Sequence, residues 1–123
     1  MGIVRRIGQG CLGVVFVTGG ADVLRNPGPR AAKAHDLAAR LGTDDKTLVR
    51  ANAAAMVLGG LALMTDRLPR LAATGLAASL VPTTLAGHRW WAEPDPKQRA
   101  NQRVHFTKNV AILGGCLVVA ASR

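Results

Sequence analysis

The chain has no tyrosine, and its two tryptophans and two phenylalanines hold aromatics to 3% of 123 residues. That scarcity matters because 16 Lys and Arg stand against only seven Asp and Glu, a net charge of +9. Such an excess ordinarily points to nucleic acid, but bases are gripped by stacking on aromatic rings, and this chain has almost none to offer. Nucleic acid is therefore not an expected partner. Two cysteines cannot furnish the four thiolates of an iron–sulfur cluster, and no CxxCH run is present for haem attachment. The three histidines, His35, His88 and His105, fall in different segments, with no Cys or carboxylate at a ligand spacing. No metal site and no intrinsic cofactor are expected.

Polar residues are not scarce; they are segregated. Hydrophobic residues make up 49% of the chain and collect in four blocks, Ile7–Leu24, Leu48–Met64, Leu71–Gly87 and Val104–Ala121. Each is 17 or 18 residues long, about 26 Å as helix against the ~30 Å hydrocarbon layer of a bilayer. Four such blocks in so short a chain leave too little polar surface to cover them in water, and none has the continuous polar stripe of a soluble bundle helix. The expected fold is all-α: an integral-membrane four-helix up-down-up-down bundle, one domain over residues 1–123, with helices at about 4–24, 44–64, 68–88 and 96–121. The basic start and apolar run of the N-terminus resemble a signal peptide. They lack an A-x-A cleavage site, and Asp22 interrupts the run, so an uncleaved first helix is expected.

Local signals punctuate the helices. Pro27 and Pro29 stop the first one. RAAKAHDLAARLG then puts Ala34, Leu37, Ala38 and Leu41 at helical spacing, a short helix that either lies on the membrane surface or is a solvated linker. Thr43 is the expected N-cap of helix 2, ahead of Asp44 and Asp45, and Asp95 with Pro96 the expected start of helix 4. Pro82 should kink helix 3. Gly-Gly pairs at Gly19–Gly20, Gly59–Gly60 and Gly114–Gly115 suit close helix approach.

In an up-down bundle the polar intrusions all fall at one end. Helix 1 finishes with Asp22, Arg25 and Asn26; helix 2 opens with Arg50 and Asn52. Helix 3 ends with Thr83, Thr84 and His88, and helix 4 opens with His105, Lys108 and Asn109. His105, Lys108 and Asn109 share one face at i, i+3, i+4. Asp22 and Lys108 sit at matching depths, which suggests an ion pair between helices 1 and 4, either a structural clasp or part of a ligand pocket. Charge inside a membrane is a functional candidate by default. Arg89, Trp90 and Trp91 read as interface anchors, with arginine stems snorkelling to the headgroups. Cys11 and Cys116, on helices 1 and 4, would form a redox pair only if their Cα atoms lay about 4.4–6.8 Å apart; otherwise they are small fillers of a helix interface.

VTGGADVLRNPGPRA, LVRANAAAMVLGGLAL and LVPTTLAGHRWWAEPDPKQRANQRVHFTKN, in this order, resemble the DoxX family of small bacterial membrane proteins. The resemblance implies a multi-pass protein of the bacterial cell membrane, with recurring polar positions at Asp22, Arg25, Asn26, Arg50, Asn52, His88, Gln102, His105, Lys108 and Asn109. It also implies a redox association. The family takes its name from a small subunit of a terminal quinol oxidase, and other members accompany membrane oxidoreductases. The expected function is thus an accessory subunit of a quinone-linked respiratory complex, not catalytic alone, with quinone or lipid in the polar cup. The alternative is a small carrier or proton relay using Asp22, His105 and Lys108. Lys and Arg number ten on the loop-rich side and five on the other, which favours a cytoplasmic cup, although Arg5 and Arg6 pull the other way.

Overall fold

A computed structural model describes residues 2–123. Among them there are five α-helices and no strand: α1 (Ile3–Arg25), α2 (Gly28–Leu41), α3 (Asp45–Met64), α4 (Pro69–Gly87) and α5 (Pro96–Ala121), with a 3₁₀ turn at Trp90–Ala92 before α5. Three of them, α1, α3 and α5, are long and apolar enough to cross a membrane. The fourth long helix, α4, is diluted by Arg70, Pro82, Thr83 and Thr84, so the architecture is all-helical with three clear candidate spans rather than four equal ones.

The boundaries follow local chemistry. Pro27 precedes α2, and Pro29 sits in its first turn, where a missing N–H is harmless. Gly42 ends α2 in the left-handed conformation (φ 69°), its N–H returning to Ala38 and Ala39, as glycine allows without penalty. The cap of α3 is Asp44, one residue after the expected Thr43: its carboxylate accepts the Thr47 N–H at 3.2 Å. A carboxylate serves better than a hydroxyl here because it also meets the positive end of the helix dipole. Asp95 caps α5 as its sequence suggests, accepting from Gln98 N–H. Pro82 lies inside α4 without interrupting it.

Packing is uneven. The most extensive contact is between α1 and α3, followed by α4 with α5; α3 meets α4, and α1 touches α5 only sparsely. The larger core joins Phe16, Leu63, Leu76, Leu80 and Cys116, and a smaller one joins Val23, Ala31, Val49 and Ala53. Through Ala31 and Ala38, α2 is buried against the bundle and meets both α3 and α4, so it is a packed element rather than a free linker. Lys33 donates to the Gly87 carbonyl at 2.9 Å, placing a cation at the negative end of α4. Outward-facing residues are strongly apolar: Leu58 is 68% exposed, Leu71 68% and Val118 71%. Water would penalise such a surface; acyl chains would not.

Candidate functional site

A ladder of polar side chains runs up α4. At its foot Ser79 donates its hydroxyl to Asn52 Oδ1 on α3. Five residues on, Asn109 Nδ2 of α5 donates to Thr84 Oγ1 at 3.0 Å, and Thr84 is only 7% exposed. At the top His88, just beyond the last turn of α4, meets Gln102 Oε1 through Nδ1 at 2.7 Å. The short Arg89–Asp95 connection makes α4 and α5 adjacent, so residues near both ends of that link face one another.

The two imidazoles form the centre of this end. His88 and His105 stack with centroids 5.2 Å apart and planes 21° from parallel. An amide oxygen can only accept, so His88 must donate through Nδ1, which leaves its Nε2 as an acceptor when neutral. Lys108 Nζ stands 3.5 Å from His105 Nδ1, the outer limit of a hydrogen bond. An ammonium can only donate, so in the tautomer that accepts this contact Nδ1 carries the lone pair and Nε2 the N–H of the ring. Neighbouring rings thus present one acceptor and one donor, and neither Nε2 has a partner among the described residues.

The helix 1 contribution does not join. Asp22, Arg25 and Asn26 are exposed, as are Arg50 and Lys108. Asp22 makes no ion pair with Lys108; the ion pairs among the described residues are Arg6–Asp66 and His35–Asp45. The reason is azimuthal. Helix α1 buries Gln9, Gly13, Phe16, Gly20 and Val23, a stripe at intervals of three and four that faces α3, and Asp22 and Arg25 lie off it. Matching depth brought two charges to one level but not to one side. A proton relay through Asp22, His105 and Lys108 lacks its carboxylate for the same reason.

Polar chemistry is also not confined to this end. Gln9, 1% exposed, donates to Asp66 Oδ1 at 3.1 Å and accepts from Arg5 Nε at 3.2 Å. Arg5 goes on to Ser122 Oγ and the Arg123 carbonyl, while Arg6 lies 3.7 Å from Asp66. This clasp ties α1, the α3–α4 turn and the C-terminus. Its signal was an amide four residues after an arginine at the start of an apolar run. The turn itself holds Asp66 and Leu68 at positive φ (57° and 45°), a conformation few side chains favour.

Three further sequence features resolve plainly. Gly8–Gly13 reads GQGCLG, the GxGxxG spacing of dinucleotide-binding loops, but it lies inside α1 with no strand before it. Its backbone N–H groups are therefore committed to the helix instead of being free to cradle phosphate. Cys11 is exposed and Cys116 buried, both free thiols, and Cys116 fills the larger core. Trp91 packs edge-on against Trp90 and Phe106, and Trp90 carries the Arg103 guanidinium 5.3 Å above its ring.

A family model described as DoxX matches residues 7–89, covering α1 through α4 but not α5. No curated protein and no solved structure matches the chain.

Proposed function

Because this chain belongs to the DoxX family of membrane proteins, we propose that it is an accessory subunit of a quinone-linked redox complex in the bacterial inner membrane, with the α4–α5 cup receiving the quinone headgroup. The supporting observation is the stacked His88–His105 pair, one ring offering a lone pair and the other an N–H. A quinone carbonyl accepts hydrogen bonds, and the hydroxyl of its reduced form donates one. A site with both roles on adjacent rings can hold either form. Lys108 beside His105 adds a cation that favours electron density on the bound oxygen.

The cup lies at an end of the bundle where the Asn109–Thr84 and Ser79–Asn52 bonds add polar groups beside the apolar core, so a polar headgroup meets groups that can solvate it while its tail follows the lipid-facing helices. In this reading α4 is a fourth span, held between α3 and α5. The excess of Lys and Arg near the cup favours a cytoplasmic location.

Purification from native membranes in a mild detergent tests the assignment. An oxidoreductase subunit should co-elute, and solvent extraction should recover quinone from the complex. Replacing both histidines, His88→Phe with His105→Phe, should release the quinone and leave the partner attached. Recovery of the chain alone and quinone-free across several detergents would sink the proposal.

A further inference from the structure

Around the corner from the histidines, a groove of about 480 Å³ opens along the first turns of α5, lined by Trp90, Arg99, Arg103, Val104 and Thr107 among others. Its volume is in the range of small-ligand sites, ~300–1,000 Å³. Arg99, Arg103 and Thr107 follow one another at four-residue intervals, so they form a single line up one face of the helix.

The charges on that line are not neutralised. From Arg89 to Arg103 the chain carries four cations, Arg89, Lys97, Arg99 and Arg103, against two carboxylates, Glu93 and Asp95. Both carboxylates are occupied with backbone N–H groups, Asp95 with Gln98 and Glu93 with Asp95, and neither forms an ion pair among the described residues. Arg99 spends two donors on the Glu93 and Pro94 carbonyls, which fixes its guanidinium and leaves three N–H bonds to give. Arg103 rests on the Trp90 ring and makes no hydrogen bond among the described residues.

Depth decides the occupant. Helix α5 has 26 residues, about 39 Å at ~1.5 Å per residue, roughly 9 Å more than a ~30 Å hydrocarbon layer. Its first turns therefore stand among the headgroups, where lipid phosphates lie, and Val104, 66% exposed, marks the entry into the acyl region. We propose that this groove binds a phospholipid of net negative headgroup, its phosphodiester between Arg99 and Arg103 and an acyl chain descending past Val104 and Thr107. A choline headgroup would bring its own cation against these side chains and Lys97. Free phosphate would leave the apolar part of the groove unfilled. The inference is independent of what occupies the histidine cup.

The two tryptophans of this chain make the test direct. With Trp91→Phe, which keeps an aromatic edge against Phe106, Trp90 is the lone reporter. The full chain is reconstituted into vesicles mostly of phosphatidylcholine with a minor share of phosphatidylglycerol, bromine being carried on the acyl chain of one lipid or the other. Brominated phosphatidylglycerol should quench Trp90 roughly five- to tenfold more, per mole fraction, than brominated phosphatidylcholine. Arg99→Gln with Arg103→Gln should bring that ratio near one at unchanged helicity, and Arg99→Lys with Arg103→Lys should retain part of it. Equal quenching in the arginine-bearing chain overturns the proposal, as does a preference that survives the double glutamine change. So does its abolition by inorganic phosphate where chloride at the same ionic strength has no effect, which would mark a phosphate site.

Discussion

The α1–α3 and α4–α5 contacts are both joints between long helices, yet they are made of opposite materials. Between α1 and α3 the backbones themselves touch. A Cβ built on Gly60 would lie 2.7 Å from the Gly13 carbonyl oxygen, and one on Gly20 2.7 Å from that of Ala53. Between α4 and α5 the contact at the loop-rich end is carried by hydroxyl, amide and imidazole groups. In lipid, where burying apolar surface gives no advantage over facing acyl chains, close van der Waals contact and interhelical hydrogen bonds are the available adhesives. One seam is rigid because its atoms have nowhere to go. The other offers ring nitrogens that are not consumed by the fold.

The largest effect should come from closing the glycine seam. Gly60→Ala and Gly13→Ala each push a methyl against a backbone oxygen, which cannot rotate away as a side chain would. Each should destabilise by about 1–3 kcal/mol, read from denaturant unfolding in micelles. Gly114→Ala, whose new Cβ meets nothing within 4 Å, should leave the midpoint unchanged or raised. Equal losses at Gly60 and Gly114 would mean that glycine content, not the seam, is what matters.

Next in size is the clasp at the opposite end. Gln9→Leu takes one hydrogen-bond partner from the Asp66 carboxylate and one from the Arg5 guanidinium, and a buried partner left unsatisfied costs about 1–3 kcal/mol. The lower figure is expected, because Asp66 is 26% exposed and stays beside Arg6, and Arg5 keeps its bonds to Ser122 and the Arg123 carbonyl. Asp66→Asn should cost less in the Gln9→Leu background than alone, the signature of a shared contact. Full additivity would show that the amide and the carboxylate act separately.

What was legible in the sequence was whatever depends on neighbours along the chain. Blocks of apolar residues located the long helices, and Asp95–Pro96 located the start of α5. Thr84, His88, His105 and Asn109 came together because a short connection forces adjacency. What was not legible depends on rotation about a helix axis. The Gly-Gly pairs point to Gly20 and Gly60, which do lie against backbone oxygens, but also to Gly114, which faces open space, while Gly13, outside any pair, makes an equally tight contact. Asp22 failed for the same reason: its depth is set by sequence position, but its direction is set by the stripe from Gln9 to Val23. Gln9 is not legible either, because one amide amid apolar residues looks like an interruption when its partner residue lies 57 positions away.

The hydrogen bonds that α4 makes to α3 and to α5 should be cheaper to break. Ser79→Ala and Asn109→Leu each remove one interhelical bond, worth on average ~0.6 kcal/mol in membranes and at most ~1.7. Both should therefore fall below either glycine change in the same unfolding assay, while Asn109→Leu lowers quinone recovery. A loss at Asn109 as large as at Gly60 would erase the distinction between a packed joint and a functional one.

The smallest effect belongs to α2, which bridges the two halves. His35 Nδ1 lies 2.9 Å from Asp45 Oδ2, and that hydrogen bond, with the charges of Asp45 and Asp36, raises the imidazole above its ordinary value of 6.5. A histidine whose folded pKa is raised contributes its full stabilisation below the unfolded pKa and loses it as pH rises through the folded one. The α2–α3 corner should therefore loosen on going from mildly acidic to alkaline solution, seen as faster amide exchange in α2. Because His35 is exposed, added salt should blunt the change, and His35→Gln should remove it. Exchange in the α1–α3 seam should not respond to pH through this range beyond the intrinsic rate, since nothing that titrates there holds the helices together.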